Sequence, residues 1–368
     1  MFTDATCDSR WSPPHCPNSN CPHHNPLRPG WRYKKIGFYA RRLHPRRIQR
    51  YRCHTCGVTF SSQTFSITYW QKRPDLTFQL FTKTVGCMAN RQAARDLHDS
   101  PTAIDHHLER LGRHCLLFHQ RMMQQTVLQG DLVVDGFESF EFSQYHPIHH
   151  HVAVEASSSF FIYFTDSELR RKGRMTDHQE RRRAELEAAR GRPDPKAIEK
   201  DMAELLRVSL RGRRLATVRS YDHRAYPRSM RRVDCRIDHR ITSSKDRRDS
   251  GNPLWEANLL DLLIRHGSAN HKRETIAWSK RRQASAERLA ILLVWRNYVK
   301  RRWERGPPQT LAMIKGLTDH PLSVEEILSE RIFPAHVELP PRWRQYYERR
   351  VETRALKINR HHTLRYAF

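Results

Sequence analysis

Four cysteines stand in two short-spaced pairs, Cys16 and Cys21 as C-x4-C and Cys53 and Cys56 as C-x2-C. Tetrahedral zinc needs four ligands, and a tight turn carrying two thiolates supplies half of them at once. The spacing predicts a structural Zn2+ site, with Cys7, His23 and His24 as alternatives for the first pair. A small segment with little apolar core would draw much of its folding free energy from that metal. The plainer alternative is four free thiols in a loop-rich stretch. A second set of residues consists of carboxylates. Asp135 ends the apolar run Val133-Val134-Asp135-Gly136-Phe137, and Asp222 ends Val218-Arg219-Ser220-Tyr221-Asp222. Carboxylates at the ends of neighbouring strands can hold two divalent ions, which activate an attacking oxygen and stabilise a leaving one. An isolated strand-end Asp means little, so the elements around these two must decide.

Those elements change character along the chain. From Trp11 to about Tyr69, Pro, Gly, aromatic and β-branched residues predict short strands and turns. Between the cysteine pairs lie Arg32, Lys34, Lys35, Arg41, Arg42, Arg46, Arg47 and Arg50, interleaved with Trp31, Tyr33, Phe38, Tyr39 and Tyr51. Cations over packed aromatics fit a nucleic-acid-binding ribbon, although the rings alone could be its small core. A helix is expected from about Asp75 to Gly86 and another over Asn90–Leu97. Ser100-Pro101, as N-cap and first helical residue, opens a third through about Arg113. Such a trio resembles a helix-turn-helix, with Thr102, Asp105, His106 and Arg110 as candidate readers of base edges.

Strand grammar follows at 131–135, 151–155 and 160–164, at spacings that predict an antiparallel meander. Asp177 to Leu210 is a charged interlude, expected to be a solvated helical hairpin. Strands return at 215–218 and 233–237, and Leu254 to Val299 has helical periodicity. The expected class is α/β multidomain: a zinc ribbon over 1–72, a helix-turn-helix over 73–127, a mixed sheet flanked by helices over 128–304 with an insertion at about 170–212, and a helical tail over 305–368.

The charge points to a polyanionic partner. The 368 residues include 66 Lys and Arg against 39 Asp and Glu, a formal net charge of +27. Each phosphate neutralised by such a surface releases condensed counterions. Mean hydropathy is −0.80, and no run approaches the 18 apolar residues of a membrane span. Met1-Phe2-Thr3-Asp4 lacks the cationic and apolar segments of a secretory signal. With eight cysteines, an intracellular location favours thiols or metal over disulfides.

Taken in order, these pieces resemble DDE-type insertion-sequence transposases, whose catalytic domain has an RNase H-like fold. The resemblance spans roughly 16–333. It rests on Cys16-Pro17-Asn18-Ser19-Asn20-Cys21, Tyr51-Arg52-Cys53-His54-Thr55-Cys56, the Asp135 strand, Asp222-His223-Arg224-Ala225-Tyr226-Pro227 and Arg273-Glu274-Thr275-Ile276-Ala277-Trp278-Ser279. It implies cleavage of transposon ends and strand transfer with Mg2+ or Mn2+ held by Asp135 and Asp222. It also implies double-stranded DNA as partner, a homodimer or larger assembly on DNA, no membrane, and a cytoplasmic, nucleoid-associated setting.

The third catalytic position departs from the pattern. The family carries Glu there, often with Lys or Arg seven residues later, whereas alignment of the 273–279 stretch puts Asn258 at that place with Arg265 following. An Asn carbonyl can ligate Mg2+ but brings no charge. Glu256 and Glu274 are rivals. Two other functions stay open: a DNA-binding regulator with an inactive catalytic fold, favoured by the missing carboxylate, and a zinc-dependent RNA-binding protein, favoured only by the charge.

Overall fold

A computed structural model of the chain describes residues 12–25, 28–42, 46–124, 126–272 and 275–362; Cys7 and Glu274 lie outside them. The N-terminal segment forms an antiparallel sheet of β1 (Tyr33–Ala40), β2 (Arg47–Cys53) and β3 (Thr59–Ser61), in the order β1-β2-β3. Its core is a cluster of Cys16, Cys21, Tyr51, Cys53, Phe60 and Phe65 that also takes in Phe333 from the far end of the chain. Three helices follow: α1 (Asp75–Val85), α2 (Asn90–Asp96) and α3 (Pro101–Met123). Ser100 caps α3 by accepting the Ala103 N–H at 3.1 Å. The third helix runs ten residues beyond the end read from the sequence. The stretch from Leu111 to Gln120 is buried throughout, so this half serves as a wall of the core.

The second sheet has the order β6-β5-β4-β7-β8, with β4 (Leu132–Phe140), β5 (Pro147–Glu155), β6 (Phe161–Glu168), β7 (Leu215–Tyr221) and β8 (Arg236–Thr242). The first three form the expected antiparallel meander, while β4 with β7 and β7 with β8 pair in parallel. Leu132, Val133 and Val134 are all buried, as a central strand covered on both faces requires. The outer strand β8 exposes Arg236, Asp238 and Arg240, and charge on an open edge discourages pairing with another chain.

Helices cover the two faces. The charged interlude is only half solvated. Helix α4 (Asp177–Arg190) buries nothing, but α5 (Ala197–Ser209) buries Met202, Ala203, Leu205 and Leu206 and packs on β5 and β6. Its apolar stripe was hidden by the charge around it. A short α6 (Ala225–Met230) follows β7. The long helix expected from Leu254 is in fact two, α7 (Trp255–Gly267) and α8 (Arg282–Val294), with no helix among the described residues between them and a π-helical turn at Trp295–Val299. Every residue of α8 but the half-buried Ala284 is buried, Glu287 and Arg288 included, so the helix is enclosed on all sides although it is not apolar all round. It packs against α3 so closely that a Cβ at Gly112 would lie 2.5 Å from that of Glu287. The tail adds α9 (Leu311–Ile314), α10 (Val324–Ser329) and α11 (Pro341–Tyr347). One hydrophobic core runs from Ile67 through the sheet to Val351. No helix among the described residues is long and apolar enough to cross a membrane.

Charge is also buried in this core. Arg282 at the start of α8 bonds to Asp166 and, at 2.9 Å, to Glu168; Tyr346 donates to Asp166 as well. Burial alone would raise the Asp166 carboxyl, but the Arg282 and Arg342 guanidiniums outweigh it and hold it far below the usual range. Removing one partner leaves an uncompensated buried charge. Arg282→Met is therefore expected to cost ~3–5 kcal/mol, read as a lower urea midpoint; an unchanged midpoint would show that the network contributes nothing.

Candidate functional site

The first cluster of metal-ligating side chains is the cysteine set. Each pair sits at a turn flanking the ribbon sheet, and the sulfurs of Cys16, Cys21, Cys53 and Cys56 all lie within 4.8 Å of one another. The Cys16 and Cys56 sulfurs are 3.6 Å apart, close to the ~3.8 Å separation implied by tetrahedral Zn–S bonds of ~2.3 Å. Burial raises the Cys16 thiol, and the neighbouring sulfurs raise it further. At Cys53 burial also raises, but the Trp31 indole N–H at 3.3 Å and backbone donors prevail and lower it. Four sulfurs this close cannot all ionise without a cation among them. The donor set fits zinc. His24 bonds the Cys16 carbonyl at 2.8 Å through Nδ1, and among the described residues the four thiols are the set that converges. On the sheet beside it, Arg32, Lys34, Lys35, Arg42, Arg46, Arg47 and Arg50 are exposed, and Arg47 stacks 4.0 Å over the Phe38 ring. Arg41 is partly buried and donates to Gln63 at 2.8 Å.

The second cluster lies on the large sheet. The parallel register pairs Leu132 with Val218 and Val133 with Arg219, so Asp135 falls level with Tyr221 and Asp222 leaves the next strand one residue on. Val133 packs with Tyr221, Leu254 and Ala257 beneath α7. Alternation puts Asp135 on that same face. Behind it β5 approaches tightly: a Cβ at Gly136 would lie 2.3 Å from His149 Nε2 and 2.4 Å from the His150 carbonyl, so only glycine fits beside Asp135. Burial pushes the Asp135 carboxyl up to about 6; the Asp261 charge adds to the rise, while Arg248 opposes it. Asp222 is exposed. It accepts the Ser244 N–H at 3.3 Å, and hydrogen bonds from Ser244 lower its pKa.

Helix α7 faces these carboxylates. Asn258 accepts the Tyr221 hydroxyl at 3.0 Å, and its Nδ2 is buried without an acceptor. Three residues on, Asp261 was not anticipated from the sequence. Its Oδ2 accepts from Arg265 Nε at 3.2 Å, while its Oδ1 is buried with no partner. Arg265 also donates to the His271 carbonyl at 3.3 Å and lies 5.5 Å from the Phe137 ring. A buried carboxylate oxygen without a donor, within electrostatic reach of the half-buried Asp135 carboxylate, fits a hard divalent cation. Glu256 lies in the first turn of α7, partly buried. Among the described residues the carboxylates do not crowd as the cysteines do; only the four thiols bring three or more ligand atoms within 4.8 Å.

On α3, Thr102 and His106 are exposed at the first turns. Asp105 accepts from Asn90 and ties α2 to α3. Arg110 is not free to read a base as the sequence implied, because its guanidinium donates to the Ile67 carbonyl at 3.1 Å and to that of Tyr69. It clamps the joint between ribbon and helices instead.

No family model matches the sequence, and no curated protein matches it. Among solved structures, the chain is similar to a simian T-cell lymphotropic virus intasome in complex with PP2A regulatory subunit B56 gamma. Identity is 14%, covering 65% of this chain and 72% of that one, at a TM-score of 0.25. A likeness at that level carries no argument about fold or function.

Proposed function

We propose that the chain is a transposase: the zinc ribbon and three-helix unit bind double-stranded DNA, and an RNase H-like domain cuts and joins strands at a divalent-metal site. The observation that supports this reading is that three carboxylates lie on two neighbouring parallel strands and the helix over them. Asp135 is on the central strand, Asp222 is at the end of its parallel neighbour, and Asp261 is on the helix packed over both. Asp261 takes the third acidic position in this account, in place of Asn258, Glu256 or Glu274. It supplies the charge whose absence was the chief support for an inactive regulator. Mg2+ or Mn2+, when bound, would supply Lewis-acid stabilisation of both the attacking and the leaving oxygen. The residues do the rest. Asp135 and Asp261 hold paired negative charge in a partly dry site, Arg265 fixes the Asp261 carboxylate through Oδ2, and Tyr221 fixes the Asn258 amide. Assembly as a dimer or larger on DNA ends belongs to the same proposal.

The test is to incubate the purified chain with labelled DNA carrying the sequences that flank its gene, with and without Mg2+. Nicks with a 3′-hydroxyl at a fixed position, dependent on the metal, are expected. Binding without cutting under every divalent ion would refute the enzyme and leave the regulator.

The basic ribbon carries its own expectation. Arg46 and Arg47 are exposed at the start of β2. If both meet phosphates, the double substitution to Ala should reduce the slope of log affinity against log salt by about 2, since each contact contributes ~0.9. Binding to unrelated duplexes should weaken equally. An unchanged slope would put the phosphate contacts elsewhere.

A further inference from the structure

A cavity of about 700 Å³ opens between the ribbon-to-helix joint, the first half of α3 and the tail, and none of Asp135, Asp222 and Asp261 lines it. Its walls are cationic: Lys72, Arg73, Arg110, Arg113, Arg349 and Arg360 all line it, against Asp99 and Glu109 as the acids. Both acids are already engaged, Asp99 with Arg73 at 3.8 Å and Glu109 with Arg349 at 3.1 Å. The decisive group is Arg113. It is only 6% exposed, lines the cavity, and has a buried Nε with no acceptor. A buried guanidinium donor without a partner is costly unless an anion supplies one. Arg110 beside it is brought down to about 10 by burial first and then by the Arg113 charge. Lys72 and Arg360 make no ion pair among the described residues. At the mouth stands Trp70, 82% exposed, in a left-handed backbone conformation with φ of 61°. An indole held open to solvent beside cations is a surface on which a base can stack.

We infer that this cavity is a nucleotide site, in which Arg113, Lys72 and Arg360 take a phosphate and Trp70 stacks the adjoining base. The nucleotide belongs to an unpaired DNA strand. The cavity is lined by Ala103 and His106 of the exposed start of α3, so a strand leaving a duplex on that face enters it directly. A volume of this size suits a single nucleotide. The inference rests on the proposed DNA-binding function for the identity of the polymer, though the phosphate and base chemistry stands without it.

The test compares the full chain's affinity for a blunt duplex, for the same duplex with a three-nucleotide thymidine overhang, and for free thymidine monophosphate. The overhang is expected to bind about tenfold tighter than the blunt duplex, from one stacked base and its phosphate. Trp70→Ala, and separately Lys72→Ala with Arg360→Ala, should erase that preference while leaving blunt-duplex affinity unchanged. The latter pair and Trp70 sit near the surface, so these variants fold even if Arg113→Gln does not. A preference that is absent, or that survives both variants, overturns the site while the blunt-duplex result still stands for the function. Overhang binding without blunt-duplex binding upholds the site and overturns duplex recognition. Tight binding of the free monophosphate, competing with the overhang at micromolar concentration, overturns the assignment to a DNA strand.

Discussion

Replacing Asp135 with Ala is expected to lower DNA strand cleavage by at least about a thousandfold, while affinity for the DNA ends stays within about twofold. A loss of that size corresponds to removing several kcal/mol of transition-state stabilisation, the scale on which metal ions act. On the proposed function binding should survive, because the exposed cations of the ribbon and the start of α3 are not among the residues packed around the carboxylates. Asp222→Ala should behave alike. The third position discriminates between accounts. Asp261→Asn keeps a hydrogen-bond acceptor for Arg265 yet removes the charge, so cleavage should be lost without loss of fold. Asn258→Ala removes the partner of the Tyr221 hydroxyl and should leave most of the cleavage intact. Activity in Asp261→Asn together with inactivity in Asn258→Ala would restore the amide as the ligand. Glu256→Gln and Glu274→Gln, in the same assay, are expected to cut normally.

Removing zinc should have the second large effect. Structural zinc sites contribute roughly 10 kcal/mol or more of apparent folding free energy in small modules, far more than the aromatic cluster around Tyr51 and Phe60 can replace. Metal analysis should find one zinc per chain. Chelation, or Cys53→Ser, should open residues 16–61 to protease and lower DNA affinity at least about tenfold. The core from Ile67 onward should hold, since it is built from the sheet, α3 and α8. The ribbon core shares Phe333 with the tail, so a modest loss of stability there is expected too. A zinc-free chain with a protease-resistant ribbon would overturn the metal site.

What could be read from the sequence was what local spacing and periodicity encode. The cysteine pairs announce themselves because each knuckle is a few residues long, and the cap at Ser100-Pro101 is equally local. Asp135 and Asp222 stood out because each follows a short apolar run, although β4 continues to Phe140 and puts Asp135 in mid-strand rather than at the expected strand end. Asp261 was not. Residues 258 and 261 share a helix face, and which of them meets Asp135 depends on how α7 is rotated and on the loop that delivers it. Alignment by resemblance favoured the amide and passed over the carboxylate three residues on. Arg110 failed for a long-range reason: the carbonyls that capture it belong to Ile67 and Tyr69, more than 40 residues earlier. Helix α5 failed by composition, since the charges of the interlude masked the four buried residues that hold it to the sheet.

The claim on which the catalytic account stands is that Asp135, Asp222 and Asp261 hold a divalent cation. Crystals of the full chain grown with Mn2+ test it directly, through the anomalous signal of the metal. The account predicts a peak within ~2.0–2.6 Å of a carboxylate oxygen of Asp135 and of Asp261 or Asp222, which is lost in Asp261→Asn crystals. Anomalous density confined to the four cysteines, with the carboxylates empty at millimolar Mn2+, would contradict it.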